Sequence, residues 1–189
     1  MKTYAMNPVN LARFQNYWYR PGRALLVQAL WFVFGLPILR SPLLPLASLR
    51  RFVLRLFGAR VGRGVVIKPG VRIKYPWLFG MGDYCWIGED CWIDNVARVT
   101  LGNHVCISQG AYLCTGNHDW SDPAFGLLID PIEIRDGAWI GARAVLTPGV
   151  EISECAVVTA GSVVTQDIPP YEIHGGNPAA FLRRREISE

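Results

Sequence analysis

Large aliphatic residues recur at every sixth position over residues 61–169. The series starts at Val61 and Ile67 and runs to Val164, and a second, usually smaller residue follows each member four positions later. Residues six apart lie on opposite faces of an α-helix, so a helix cannot bury such a series. A fixed short period is typical of a β-solenoid, in which each unit contributes one short strand and one corner. The sequence therefore predicts an all-β solenoid over this region.

Three wider intervals interrupt the period. They are Ile73 to Met81, Ile93 to Leu101 and Leu113 to Ile134. Each interval follows a set of three hexads. The series therefore predicts a three-sided prism of about five coils, and it places all three insertions at the same corner of the prism. The extra residues are assigned to Phe79-Gly80, Val99-Thr100 and 119–133. Long loops in compact domains are usually functional or disordered, and 119–133 is therefore predicted to be a catalytic loop.

Residues 1–60 are predicted to form a basic, apolar helical segment. The sixteen residues before Arg40 carry no charge, which is short for a spanning helix, since such a helix needs about 20 residues. One helix is predicted over 23–34 and ended by Pro37, and a second, amphipathic and basic, over 47–57. The favoured interpretation is a helical cap packed on the solenoid core. The alternative is a segment that lies on an anionic bilayer.

The net charge of +4 conceals an asymmetry along the chain. Residues 1–82 hold 13 Lys and Arg and no acid, whereas the remainder holds 6 Lys and Arg against 15 acids, a net charge of −9. The basic part favours a polyanionic neighbour, either an anionic membrane surface or phosphate groups. Nucleic acid is the weaker alternative, because the arginines lie among Leu, Trp and Phe with no recognisable reading motif.

The five cysteines are expected to be buried small apolar residues in a reducing compartment. Their number is odd, no two form a CxxC pair, and no cluster of His and Cys has zinc spacing. Neither a disulfide framework nor a metal site is therefore expected. No signal peptide pattern is evident. The chain is expected to be cytoplasmic, with the inner face of the membrane as a peripheral location.

Three motifs resemble the hexapeptide-repeat acyltransferases: IGARAVLTPGVEI, VTAGSVVTQDIPP and the tail GGNPAAFLRRR. Within that superfamily the chain is most similar to the galactoside, maltose and nodulation O-acetyltransferases. The stretch CISQGAYLCTGNHDWSDPAFG resembles the branch assigned to colanic acid and other exopolysaccharide synthesis. The resemblance implies a left-handed parallel β-helix, a homotrimer, acetyl-CoA as co-substrate and a CoA-side tail at 170–189.

Histidine is the natural general base for acyl transfer near neutral pH. Of the three histidines, His118 lies where the hexad period stops, on a loop held by a rigid scaffold, and it matches the catalytic histidine of the family. His104 is expected on a corner and His174 in a structural part of the tail. A γ-class carbonic anhydrase shares the fold but needs three histidines around one metal, two of them close together near the loop. No second histidine precedes His174 after His118, so that function is disfavoured.

Two pairs of residues are candidates for binding the acceptor. The resemblance implies that Asp94 and Asn95 face the histidine of the neighbouring subunit. Beside His118, Asp119 offers a carboxylate for hydroxyl groups, and Trp120 offers a ring that can stack on a sugar. The positions that match CoA-binding residues of the family are Trp139, Gly141, Ala142, Ala160, Gly161, Thr165 and Arg183. The resemblance also implies an oxyanion donor among the backbone N–H groups around Gly141-Ala142.

The sequence thus predicts an acetyl-CoA-dependent O-acetyltransferase that modifies a saccharide hydroxyl during exopolysaccharide or surface-glycan synthesis. A lipid-linked saccharide fits the basic, apolar N-terminal segment. Two alternatives stay open. The first keeps the enzyme class but changes the acceptor to serine or to the amine of a nucleotide-sugar. The second is a non-catalytic β-helix that serves as an assembly platform, a role for which His118 and the one-cornered insertions would have no use.

Overall fold

The computed structural model describes residues 8–43 and 47–188. Its helical part follows a 3-10 turn (Leu11–Arg13) and comprises α1 (Leu25–Leu30), a π-turn (Trp31–Gly35), α2 (Leu36–Arg40) and α3 (Ala47–Leu56). The strands that follow are β1 (Arg60–Val61), β2 (Val66–Ile67), β3 (Arg72–Ile73), β4 (Phe79–Met81), β5 (Trp86–Ile87), β6 (Trp92–Asp94), β7 (Val99–Leu101), β8 (Cys106–Ile107), β9 (Tyr112–Cys114), β10 (Gly116–His118), β11 (Leu127–Ile129), β12 (Ile132–Ile134), β13 (Trp139–Ile140), β14 (Val145–Leu146), β15 (Glu151–Ile152), β16 (Val157–Val158), β17 (Val163–Val164), β18 (Glu172–Gly176) and β19 (Ala179–Arg184).

Parallel strands stack into the three faces of a prism. The first face has the order β1-β4-β7-β12-β15, the second β2-β5-β8-β13-β16-β18, and the third β3-β6-β9-β14-β17. Strand β19 pairs antiparallel with β18 at the end of the second face. The hexad period therefore corresponds to one strand and one corner, and the predicted parallel β-solenoid is confirmed.

The hexad side chains fill the interior of the prism. On the third face, Ile73, Ile93, Leu113 and Leu146 are in register and form one continuous column of fully buried side chains. Each such side chain contributes about 1.5–3 kcal/mol on burial. The columns of the three faces together form the core that holds the strands in register.

The solenoid has about one turn more than the five coils expected from the hexads. After the fifth coil, Ile168 bridges to Ile152, and β18 joins the second face through the pairing of Val158 with His174. The hexad series did not indicate this turn because His174 stands where an aliphatic residue would continue the column.

All three insertions leave the solenoid at the corner between the third and first faces, as predicted, but the residues assigned to each differ from those in the structure. Phe79-Gly80 and Val99-Thr100 lie inside β4 and β7 and pair with each other in register. Phe79 and Val99 are buried, so they lengthen the strands of the first face. The extra residues instead precede these strands, at 74–78 and 95–98. The third insertion was predicted at 119–133, but it contains the hairpin of β10 and β11, which begins at Gly116, and it ends before Ile132, which is buried in β12.

The helical segment differs from the prediction at its first helix. That helix was expected to end at residue 34, before Pro37, but helical structure continues to Arg40. Pro37 lies in the first turn of α2, directly after the π-turn Trp31–Gly35. Proline lacks a backbone N–H, and at this position its missing donor falls where the hydrogen-bond pattern changes from π to α. The second helix lies at Ala47–Leu56, close to the predicted 47–57.

One side of the helical segment packs on the solenoid. Trp31 is fully buried, and its indole donates a hydrogen bond of 3.1 Å to the carbonyl of Ile73. Arg50 is also buried and donates to the carbonyls of Leu39 at 3.2 Å and Ser41 at 2.7 Å. Among residues 8–43 and 47–188, no helix has the length and apolarity that crossing a membrane requires.

Candidate active site

His118 ends the strand that leaves the solenoid wall. Strand β10 pairs antiparallel with β11, which places His118 opposite Leu127. The hairpin continues past the histidine, because the Asp119 N–H donates to the carbonyl of Gly126 at 2.8 Å. The histidine is therefore held on ordered backbone at the predicted break in the repeat, and its side chain is half-buried.

The hairpin also fixes the tautomer of the imidazole. His118 Nδ1 lies 2.9 Å from the carbonyl oxygen of Phe125. A carbonyl oxygen can only accept, so Nδ1 carries the hydrogen. Neutral imidazole has one N–H, and Nε2 is therefore left with a lone pair that can accept a proton.

Two aromatic rings enclose the imidazole. The ring of Phe125 stacks on His118 at a centroid distance of 4.4 Å and an angle of 9°, and the ring of Phe14 meets it edge-on at 5.5 Å. Phe125 has φ of +56°, an uncommon conformation for a bulky residue. A strained residue that both stacks on the base and accepts its N–H is typical of a functional loop.

The N-terminal strap, residues 8–23, contributes Phe14 to this site. The strap runs along the corner of the three insertions. The Asn10 N–H donates to the carbonyl of Pro123 at 2.8 Å, and the Tyr19 hydroxyl donates to the carbonyl of Val96 at 2.9 Å. The role of the strap was not predicted, because these contacts join residues far apart in sequence and the strap carries no periodic pattern.

Asp119 and Trp120 lie next to the base in sequence but not against its ring nitrogens. The Asp119 carboxylate accepts hydrogen bonds from the backbone N–H and the hydroxyl of Ser121, which together lower the pKa of this carboxyl. Asp122 forms a similar turn, accepting from the N–H groups of Ala124 and Gly126. The carboxylates therefore shape the loop, and Trp120 is left 79% exposed at its tip.

Asp94 lies at the insertion corner one coil below the hairpin. Its carboxylate is 2.9 Å from the Lys74 ammonium, and the Tyr112 hydroxyl donates to it at 3.4 Å. Burial is the main cause that raises the pKa of the Tyr112 hydroxyl, and the neighbouring Cys114 and Asp94 raise it further. The carboxylate is half-buried and remains a candidate for contact with a polar ligand.

Asn95 does not reach the surface. The residue is fully buried; its Oδ1 accepts from the Tyr75 N–H at 3.0 Å, and its Nδ2 donates to the Tyr75 carbonyl at 2.7 Å. The amide therefore ties two successive coils together at the insertion corner. Its donor and acceptor are both used in that contact, so the proposed acceptor contact falls to Asp94 alone in this pair.

Most residues matched to CoA-binding positions lie on the second face or the corner that follows it, whereas Thr165 directly follows β17 on the third face. Trp139 is in β13, where its indole donates to the Ser108 hydroxyl at 2.9 Å. Gly141 is buried, and a Cβ there would stand 2.5 Å from the backbone nitrogen of Ala160, so coil stacking requires glycine. Its N–H donates to Val158 at 2.8 Å.

Of these positions, Thr165 lines a groove near the C-terminal end of the solenoid. The groove has a volume of about 390 Å³, and Thr165 faces the β19 residues Ala179–Phe181 across it. Gly161, one corner away, is exposed and would have nothing within 4 Å of a Cβ, so its backbone is open to an extended ligand. Ala160 and Arg183 are also exposed. These three positions are therefore open to solvent in the described chain.

The other two histidines have local partners. His174 Nε2 lies 3.0 Å from the Glu172 carboxylate, and His104 stacks on Tyr84 at a centroid distance of 5.3 Å on an exposed corner. Among the described residues, no group of three or more His, Cys, Asp and Glu side chains is arranged to hold a metal ion.

Comparison with known proteins assigns the chain to a family. No family model matches it, but it is 40% identical over 171 residues to WcaF of Escherichia coli K12, covering 90% of this chain and 93% of that protein. The name of WcaF assigns it provisionally to colanic acid biosynthesis as an acetyltransferase. Nodulation protein L of Rhizobium meliloti is 38% identical over 122 residues, covering 63% of this chain and 67% of that protein.

Solved structures agree with these sequence matches. The hexapeptide-repeat acetyltransferase VCA0836 of Vibrio cholerae, in complex with acetyl coenzyme A, has a TM-score of 0.78 and 27% identity over 86% of this chain and 89% of that one. A galactoside acetyltransferase in complex with coenzyme A has a TM-score of 0.75 and 25% identity over 86% and 82%.

The solenoid and these matches define the chain as an acyltransferase. More particularly, it belongs to the hexapeptide-repeat acetyltransferases. The predicted enzyme class and the predicted family are confirmed.

Proposed function

We propose that the protein transfers an acetyl group from acetyl-CoA to a hydroxyl group of a saccharide, with His118 as the general base. The observation that carries this proposal is the 2.9 Å contact between His118 Nδ1 and the Phe125 carbonyl. It supports Nδ1 as the nitrogen that carries the hydrogen, so that the lone pair of the neutral imidazole is at Nε2, on a hairpin that leaves the solenoid wall.

In the proposed reaction, Nε2 removes the proton of the acceptor hydroxyl as the hydroxyl oxygen attacks the thioester carbonyl carbon. The carbon–sulfur bond then breaks, and His118 returns the proton to the departing thiolate. Ester and free CoA are the products. The stacked Phe125 and the edge-on Phe14 hold the imidazole plane, so that Nε2 keeps one direction throughout.

The negative oxygen that develops on the carbonyl needs a preorganised donor. Of the two backbone groups around the corner after β13, the Gly141 N–H is already bonded to Val158. Within the described chain, the Ala142 N–H donates to no protein acceptor. We therefore assign the oxyanion contact to the Ala142 N–H. We assign the binding of CoA to the exposed backbone at Ala160 and Gly161 and, further along the cofactor, to Thr165 and Arg183.

The complete site is proposed to form between two chains of a homotrimer of left-handed β-helices. His118 of one chain would face Asp94 of the next, with Trp139 lining the acyl-CoA tunnel. Asp119 and Trp120 complete the acceptor side, Trp120 through its exposed ring. The half-buried Asp94 carboxylate, held by Lys74 at 2.9 Å, supports hydrogen bonding to hydroxyl groups of a sugar.

A saccharide of an exopolysaccharide or surface glycan is the proposed acceptor. The similarity to WcaF, whose name refers to colanic acid biosynthesis, and to a galactoside acetyltransferase supports a sugar over serine or an amine. A saccharide linked to a lipid would bring this cytoplasmic protein to the inner face of the membrane.

The test is thiol release from acetyl-CoA across a panel of free sugars, nucleotide-sugars and lipid-linked saccharides, with His118→Ala and His104→Ala alongside. A general base contributes about 10²–10⁴-fold to the rate. We expect turnover with a saccharide, a loss of about that size in His118→Ala, and no comparable loss in His104→Ala, because His104 lies on an exposed corner.

Turnover with amines alone would refute the saccharide hydroxyl as the acceptor. Equal turnover in wild type and His118→Ala would refute the assignment of the base. Absence of acetyl-CoA binding by calorimetry would instead favour a non-catalytic platform.

A further inference from the structure

The helix that caps the solenoid has a second, unpartnered face. Its buried residues, Trp31, Gly35 and Leu39, recur every four positions and face the core. The opposite side carries the exposed stripe, defined as Leu25, Leu26, Leu30, Val33 and Phe34. Leu26 and Val33 in its middle are 70% and 61% exposed.

Exposure of this kind is unusual for residues in the helix of a globular domain. A surface helix normally turns one apolar face to the core and a polar face to water. Here the face toward water is apolar as well, and it contains no charged residue between Arg23 and Arg40. In α3, Phe52 and Leu56, one turn apart, are exposed too. Contiguous exposed apolar side chains mark a docking surface.

The charges around the exposed stripe indicate the chemistry of its partner. Arg23 and Arg40 stand at its two ends, and both are exposed. No acidic residue occurs before Asp83. A helix with an apolar face and cationic flanks lies in the interface of an anionic bilayer, where the apolar side chains enter the acyl boundary and the arginines reach the headgroups.

We propose that the exposed stripe docks the protein on an anionic lipid bilayer, with the helix parallel to the membrane plane. Two-fold pairing of two chains through this same face fits less well. A two-fold contact would bring the stripe and its flanking arginines against their own copies, and with no acid in residues 1–82 those cations would repel.

This proposal goes beyond acetyl transfer and links it to a location. The N-terminal strap, residues 8–23, leads directly from Phe14 at the His118 ring to the start of α1. A bilayer under the exposed stripe would hold the strap, and with it the active site, near the membrane surface. A saccharide carried on a lipid would then be presented to the site at that surface.

The test is co-sedimentation of the full-length protein with phosphatidylglycerol vesicles and with phosphatidylcholine vesicles. We expect binding to the anionic vesicles, weakened by salt because exposed charges are screened. Leu26→Glu and Val33→Glu should each lower the vesicle partition about tenfold, since each removes one inserted apolar side chain and adds a repelled charge. The matched control is Ile187→Glu at the exposed C-terminal end, which should lower it much less.

Thermal unfolding verifies that each variant is folded, and size-exclusion chromatography follows assembly. Equal partition of wild type and Leu26→Glu, or no binding to anionic vesicles, would overturn the proposal. A change of oligomeric state in Leu26→Glu without any vesicle binding would assign the stripe to a second copy instead. Vesicle binding needs no acetyl transfer, so a failure here is distinguishable from a failure of the proposed enzyme function.

Discussion

At the scale of single residues, the direction of His118 depends on its neighbours. Nδ1 is tied to the Phe125 carbonyl, and the two rings restrict rotation of the imidazole. An imidazole held only by its own χ angles would spend time with Nε2 turned away from the acceptor, and catalysis is sensitive to such misplacement. In the proposed reaction, the aromatic contacts would therefore act on the rate through the position of the base.

Phe14 offers the clearest test of this positioning. Phe14→Ala removes the edge-on ring at 5.5 Å, a contact of the kind that contributes about 0.5–1.5 kcal/mol, so we expect kcat to fall roughly tenfold or less with little change in the melting temperature. Steady-state kinetics on the accepted saccharide measures this. Leu11→Ala, an exposed position on the same strap, is the control and should retain wild-type kcat. An unchanged kcat in Phe14→Ala would show that the strap does not position the base.

At the scale of elements, polar side chains fasten one coil to the next. Asn95 does so inside the insertion corner, and Asp136 does so on the outside, where its carboxylate accepts from the backbone N–H of Asn103 at 2.8 Å and from its side-chain amide at 3.0 Å. Most strands of the solenoid are only two or three residues long, so these side-chain hydrogen bonds add to the few backbone hydrogen bonds that each strand can make.

Asn95→Ala should destabilise the fold. The substitution leaves the Tyr75 N–H without its partner in a buried corner and removes the Asn95 bond to the Tyr75 carbonyl, which keeps only the Leu78 N–H. We expect a cost of about 2–4 kcal/mol. For a chain of this size we expect the melting temperature to fall by roughly 5–15 °C, as measured by calorimetry. Asn16→Ala, at an exposed position, is the control and should melt with the wild type. Loss of acceptor affinity without loss of stability would return Asn95 to the acceptor site.

Asp136 makes stability depend on pH. Its hydrogen bonds from Asn103 lower the pKa of this carboxyl in the folded state. The contribution is therefore present above the unfolded pKa of about 3.9 and is lost as pH falls through the lower folded value. We expect Asp136→Asn to lower the free energy of unfolding by about 1 kcal/mol or less at neutral pH, because water screens the exposed corner. The gap in unfolding free energy between wild type and variant should close in acid.

Urea unfolding of wild type and Asp136→Asn at several pH values measures this gap. Glu186→Gln, at an exposed position near the C-terminus, serves as the control. A gap that widens on acidification would contradict the assignment.

The sequence predicted the solenoid because its signal is local: each core residue, such as Ile87 or Ile140, stands six positions from the next. It predicted the position of His118 for the same reason, since the break in a regular period is visible. The continuation of the helix past Pro37 was not predicted. It depends on a change from π to α hydrogen bonding, and the pattern of hydrophobic residues does not show such a change. The family resemblance indicated Asn95 as an acceptor residue, but resemblance does not reveal that this amide is buried and bonded to Tyr75.

At the scale of the whole molecule, the proposed membrane docking and the proposed acetyl transfer involve two different surfaces, the exposed stripe of the helical part and the His118 hairpin of the solenoid. The basic helical part precedes an acid-rich solenoid, and the N-terminal strap connects them across the His118 hairpin. Membrane docking and acetyl transfer would then reside in different parts of the chain. Each can be removed by substitution without loss of the other, except where the strap joins them.

The shared site predicts complementation between chains. If His118 of one chain acts with Asp94 of the next, His118→Ala and Asp94→Ala are each inactive alone. A trimer that mixes them, made by co-expression, regains intact sites wherever an Asp94→Ala chain supplies His118 to a His118→Ala neighbour. Random assembly of a cyclic trimer places both intact residues at about a quarter of the sites, so acetyl transfer should return to about a quarter of wild type. Recombining the purified variants without subunit exchange is the control. No recovery in verified mixed trimers would mean that each site is built within one chain, because a site confined to one chain cannot borrow the residue it lacks.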